Sequence, residues 1–254
     1  MSGFALPAAT LWWRECVRFY RDRARAVSSL ATAVLFWVLI GFGLGGSFAP
    51  QGMPAGMGSV EYLYPGTIVF LVLLTAIVGT FSLIEDRREG FLQGVLVAPV
   101  PRSSIVMGKV LGGATIAVVQ GALLLPVAPL VGIPYHAGGM ALALVALLLT
   151  AFAFNALGFV LAWRMESIQG FHGIVNLVLM PMWFLSGALF PMDGAARGLE
   201  LLMRVNPVTY GLAAFRESLY ASAAVGPVAP GYAWAVTASF AGAAFLLAVV
   251  AARR

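Results

Sequence analysis

Cysteine, histidine and charge are the scarce features of this 254-residue chain: one cysteine, two histidines and a charged fraction of 10%. A lone Cys16 excludes a disulfide framework and a cysteine-based zinc site. His136 and His172 are separated by a full apolar run and lie near opposite faces, so they do not share a metal. No G-x-x-x-x-G-K-[ST] occurs. Its nearest approach ends at Gly108-Lys109, with Ser103 in place of the first glycine and Val110 in place of the Ser/Thr. Ser186-Gly187 has no neighbouring histidine and acid to make a nucleophile of the serine. What the chain does have is apolar surface. The hydrophobic fraction is 61%, against about half in soluble domains, which also carry about a quarter charged residues. A single soluble core cannot hide that much, and the natural solvent is lipid.

Charge-free intervals locate the spans, because a hydrocarbon core needs roughly 20 apolar residues per helix. They predict six helices: Val27–Phe48, Tyr62–Ile84, Ser104–Val131, Ala137–Trp163, Ile168–Phe190 and Tyr232–Ala252. Pro126, Pro129, Gly132 and Pro134 divide the third from the fourth. No repeat or low-complexity linker interrupts the chain, so residues 1–254 form one all-α membrane domain. The short alternating segments of a membrane barrel are missing.

The bases set the orientation. Arg14, Arg18, Arg21, Arg23 and Arg25 precede the first span, and Arg87, Arg88, Arg102 and Lys109 lie between the second and third. Arg164 follows the fourth, and Arg253 and Arg254 end the chain. The other side holds only Arg197, Arg204 and Arg216, so twelve bases face three. By the positive-inside rule both termini are cytoplasmic, and the net charge of +5 reports topology rather than nucleic-acid binding. The first apolar run is too long for a signal-peptide core. Ahead of it, arginines recur at helical spacing opposite Leu11, Trp12, Cys16 and Phe19. That pattern suits a helix in the headgroup layer, or a basic flank that only fixes topology.

Charge concentrates in "EDRREGFLQGVLVAPVPRSSIVMGK", Glu85 to Lys109. A short helix over Glu85–Ala98 would carry Phe91, Leu92, Val95 and Leu96 on one face, with Arg88, Glu89 and Gln93 off it, and Pro99 and Pro101 would end it. An apolar ridge with a polar rim fits a docking element for a soluble partner or a helix lying on the membrane. Glu85, Asp86 and Glu89 are expected to be neutralised by neighbouring Arg87 and Arg88, and Lys109 to be a base at a membrane end. In the fifth span Gln169, His172 and Asn176 share a face. With Thr75 and Asn155 they either bond neighbouring helices or line a wet path. Between spans five and six, Pro191, Gly194, Gly198 and Pro207 punctuate a segment too apolar for an ordinary external loop.

The run E-x-x-x-E-G-F-L-Q-G-V-L-V-A-P-V-P-R, followed by Gly108-Lys109, resembles the signature of the ABC-2 (type-2 ABC exporter) permease family. Leu185 to Tyr220, with its N-P-x-x-Y and downstream arginine, is similar to that family's segment between spans five and six. Phe91 stands where the family usually has Thr, and Gln93-Gly94 where an acid is common. The resemblance covers essentially the whole chain. It implies a coupling helix seating in a separate ATPase through Glu85, Arg88, Glu89, Gly90, Phe91, Leu92, Gln93, Val95, Leu96 and Pro99. It also implies re-entrant short helices bearing Asn206, Pro207, Tyr210 and Arg216, and a path along spans two and five that would draw on Thr75, Gln169, His172 and Asn176. Two permease chains and two ATP-binding subunits would form the working unit in an inner membrane, with ATP and Mg used by the partner and no cofactor on this chain. The rival readings are a secondary carrier, which lacks acids or bases inside the central spans, and a membrane-embedded lipid-modifying enzyme.

Overall fold

The computed structural model describes residues 2–22, 27, 28, 31, 34, 35, 38, 56–134, 136–192, 195–220, 228, 229 and 231–253. Among them there are helices and no strand. The expected first span, Val27–Phe48, lies outside the described residues except for isolated helical positions, as do Arg23, Arg25, Gly194 and Arg254.

α1 (Ser2–Arg21) is followed by α2 (Ser59–Gly79), α3 (Phe81–Arg88) and α4 (Phe91–Val97). α5 (Arg102–Leu124) runs into a tight 3-10 segment, Leu125–Val131, and α6 is Ala137–Arg164. α7 (Ile168–Trp183) ends in a widened turn, Phe184–Ala188, before α8 (Arg197–Val205), α9 (Pro207–Tyr220) and α10 (Tyr232–Arg253). Five rods among the described residues are long and apolar enough to cross a membrane: Ser59–Arg88, Arg102–Val131, Ala137–Arg164, Ile168–Ala188 and Tyr232–Arg253. They coincide, within a few residues, with the second to sixth expected spans.

α6 is the hub, packed against α2, α5, α9 and α10. Its buried face is built from small residues, Ala143, Ala146, Thr150, Ala151, Ala153 and Ala156, and α10 answers with Ala241, Ala244, Ala248 and Ala252. Small side chains let helix backbones approach closely, which is the main source of helix association in lipid. α2 is buried on nearly every side, as expected of a helix that is apolar all round. Pro65 removes the amide that would have bonded the Glu61 carbonyl, and the Tyr220 hydroxyl donates to that carbonyl instead, at 2.7 Å. Asn155 donates its amide to the Ala76 carbonyl at 2.6 Å, tying α6 to α2.

α1 lies along α5 rather than standing apart from the bundle. Ala8, Leu11 and Glu15 are buried there, and the Trp12 indole donates to Thr115 at 3.0 Å. Gly108 makes the approach possible: a Cβ at that position would sit 2.6 Å from the Ala8 carbonyl oxygen and 2.7 Å from Leu11 Cβ.

Candidate functional site: a charged junction beside a short surface helix

The single helix expected over Glu85–Ala98 is two helices. α3 ends at Arg88, and Gly90 takes φ +80° before α4 begins at Phe91. A left-handed residue is cheap only for glycine, and it resets the helical phase. Leu92 consequently turns into the chain's own core, 3% exposed. Phe91, Val95 and Leu96 are half-buried, and Leu96 packs against the same core. The expected ridge thus faces inward. The outward face of this stretch is Arg88, Glu89, Gln93, Gly94, Val97, Ala98 and Pro99. Ala98 is extended, and the helix stops there ahead of Pro99 and Pro101.

The acids of α3 are not neutralised by their neighbours. Arg87 and Arg88 point to the end of α6, where Arg87 donates to the Trp163 and Met165 carbonyls and Arg88 to that of Glu166 at 2.6 and 3.1 Å. Those carbonyls lie at a helix C-terminus, where cations are favoured. Asp86, fully buried, is instead held by distant bases. Arg14 makes two hydrogen bonds to it, at 2.7 and 2.9 Å, Arg18 bonds it at 3.1 Å, and Lys109 Nζ pairs with its second oxygen. Lys109 also donates to Glu15 at 2.6 Å, and Arg18 to Glu85 at 2.5 Å. Glu15 is 6% exposed and Lys109 6%, so Lys109 is an interior group rather than a base at a membrane end. Three cations and three carboxylates from α1, α3 and α5 close the cluster, as buried charge requires. Hydrogen bonding to Asp86 raises the already high pKa of the Arg14 guanidinium. Arg14 also lies flat over Phe91, 3.7 Å from the ring centroid. Of the arginines that helical spacing set on one face of α1, Arg14 and Arg18 are therefore held by carboxylates, and Arg21 is exposed.

A cavity of about 370 Å³ adjoins the cluster, lined in part by Arg18, Thr75, Val78, Ser82, Glu85 and His172. Thr75 is buried and donates to Gln120 at 2.5 Å, a bond between α2 and α5. Gln169, His172 and Asn176 share the open side of α7, all exposed in the single chain, while Phe171, Val175, Leu179 and Trp183 fill its buried side. His172 sits 5.0 Å from the Phe81 ring. The structure therefore brings Thr75 and His172 to one cavity and leaves Gln169 and Asn176 outside its lining.

At the other end of α2, Asn206 caps α9. Its Oδ1 accepts from Val208 N at 3.0 Å, and its amide donates to the Met182 and Leu185 carbonyls at 2.5 and 3.0 Å. Pro207 occupies the first helical position, where its missing N–H costs nothing. Tyr210 donates to the Arg204 carbonyl at 2.5 Å. Arg216 is 3% exposed, stacks 4.3 Å from the Tyr62 ring centroid and donates to the Tyr62 carbonyl at 3.1 Å. Tyr62 in turn donates to the Gly187 carbonyl at 2.8 Å. Sequence reasoning missed Glu15 and Tyr62. Glu15 had one legible signal: it is an acid on the apolar side of a helix otherwise basic.

These features together describe an integral membrane protein with a charged junction at one end of its rods. The ABC-2 type transporter model matches residues 8–220, from α1 to the end of α9, and the chain belongs to that family. It is 27% identical over 206 residues to the inner membrane transport permease YhhJ of Escherichia coli (strain K12), covering 80% of this chain and 50% of YhhJ. It thus spans half the length of that relative. The inner membrane transport permease YadH of the same strain is 23% identical over 218 residues, 85% of this chain and 84% of YadH. Nodulation protein J of Rhizobium leguminosarum bv. viciae is 28% identical over 227 residues, 86% of each.

Proposed function

We propose that this chain is the transmembrane permease subunit of an ATP-driven exporter in an inner membrane. Two copies would join two separate ATP-binding subunits, which use ATP and Mg. The cargo class is a drug, lipid, glycan or small signal. Six spans carry the path, the first within Val27–Phe48, and both termini are cytoplasmic by the twelve-to-three asymmetry of bases. α1 rests in the lipid interface, α4 is the coupling helix, and α8 with α9 form the re-entrant cap. The open side of α7, where Leu177 is 76% exposed beside His172 and Asn176, meets the second copy and the path. Closure of the two ATPases on ATP would shift the rods between inward and outward access.

One observation carries this reading: α4 is a short helix seated by Leu92 in the core and by Phe91 against the charged junction, with Gln93, Gly94 and Val97 presented outward in a chain of this family. Val97 is 86% exposed, an apolar side chain suited to the centre of a docking contact. Val97→Asp is expected to abolish co-purification with the proposed ATP-binding subunit, at unchanged permease yield. Intact assembly and intact ATP turnover by the Val97→Asp complex would overturn the docking role of α4.

A further inference from the structure

The end of α4 next to Gly90 is held from outside its own loop. Gly90, at φ +80°, has no atom within 4 Å of where a Cβ would stand, so the break itself imposes no packing on the direction of α4. Side chains at both ends of α4 fix that direction, Leu96 packing against the core near its end. Leu92 enters the core, and Phe91 lies beneath the Arg14 guanidinium. The same guanidinium donates to both carboxylate oxygens of Asp86, which Lys109 and Arg18 hold in turn. Arg14 is thus shared by three elements: it belongs to α1, is anchored by α3, and covers the first residue of α4.

We infer that Arg14 is a positioning residue for partner docking: by stacking on Phe91 while bonded to Asp86, it lets α1 set the angle at which α4 meets the ATPase. The inference rests on the docking role proposed for α4. A planar guanidinium can satisfy a carboxylate with its edge and an aromatic ring with its face at once, whereas an ammonium is a point charge that does one or the other. Charge and geometry therefore separate. Arg14→Lys keeps the count of three cations against three carboxylates and loses the stack, and Phe91→Leu keeps an apolar residue and loses the ring.

The test is a double-mutant cycle on the affinity of the full chain, in nanodiscs, for a purified P-loop ATP-binding subunit that co-purifies with the parent permease. Thermal melting of each permease alone runs alongside. Arg14→Lys and Phe91→Leu should each weaken ATPase binding about fivefold, the size of one half-buried cation–π contact. The double variant should bind no worse than either single one. Phe91→Trp, which retains an aromatic face, should bind within about twofold of the parent. A contact that merely stabilised the chain would lower the melting temperature and the yield while leaving affinity per folded molecule unchanged. Unchanged affinity in Phe91→Leu, or losses that add in the double variant, would overturn the inference. Val97→Asp separates the two levels. If it too leaves binding intact, the docking role of α4 has failed; if it abolishes binding while Phe91→Leu does not, only the role of Arg14 has.

Discussion

Replacing Lys109 with methionine removes one cation from a closed set of six charges and leaves the volume of the side chain nearly intact. Asp86 keeps Arg14 and Arg18, but Glu15, whose side chain is 7% exposed, is left with only an Arg14 contact at 3.4 Å. Two cations then face three carboxylates among α1, α3 and α5. Removing one member of a buried pair costs about 3–5 kcal/mol, because the other charge stays desolvated without compensation. For a chain of this length each kcal/mol shifts the midpoint by about 2–4 °C, so Lys109→Met should melt roughly 10 °C below the parent. The assay is fluorescence-detected gel filtration of detergent-solubilised protein after a temperature series. Adding Glu15→Gln restores the balance to two against two and should recover more than half of the loss. A single variant melting within about 2 °C of the parent, or a double variant melting below the single one, would refute the claim that pairing holds this junction together.

Gly108→Val should push α1 off α5, since its Cβ meets the Ala8 carbonyl and Leu11. A cost of about 1–3 kcal/mol is expected, with trypsin cutting at Arg14 and Arg18, which the native packing protects. Tyr62→Phe leaves the Gly187 carbonyl buried without its donor and should cost about 1–3 kcal/mol in a melting assay; an unchanged midpoint would show that the contact contributes nothing. A reporter fused after Arg254 should read cytoplasmic and one inserted at Gly56 external, and opposite signals would reject the proposed orientation.

The five described rods were legible because membrane spans announce themselves by the absence of charge. The proline cluster after Leu124 marked the boundary between α5 and α6 for an equally local reason. The junction was not legible, although every residue in it except Glu15 had drawn notice. Sequence reading set Glu85, Asp86 and Glu89 against neighbouring Arg87 and Arg88, but those two bases turn to the end of α6. The true partners of Asp86 are Arg14 and Lys109, 72 and 23 positions away. The direction of Leu92 failed for a related reason. A periodicity counted from Glu85 to Ala98 assumes one continuous helix, and the left-handed Gly90 breaks the count after α3. Arg216 was noted as part of a motif, but its bond to Tyr62 spans 154 positions, beyond any local pattern.

The junction also imposes an order on how the chain is made. Arg14 and Arg18 leave the ribosome first, Asp86 follows, and Lys109 comes 94 residues after Glu15. Until Glu85 and Asp86 have emerged, Glu15 is the one acid of the cluster beside the arginines of the first helix, and an excess of bases is what holds a segment on its side of a membrane during insertion. Once α3 has been made, Asp86 and Glu85 pair with those arginines. The arginines of α1 are thus answered late, and the set of pairs is complete only once the rod that begins at Arg102 has delivered Lys109 to Glu15 and Asp86.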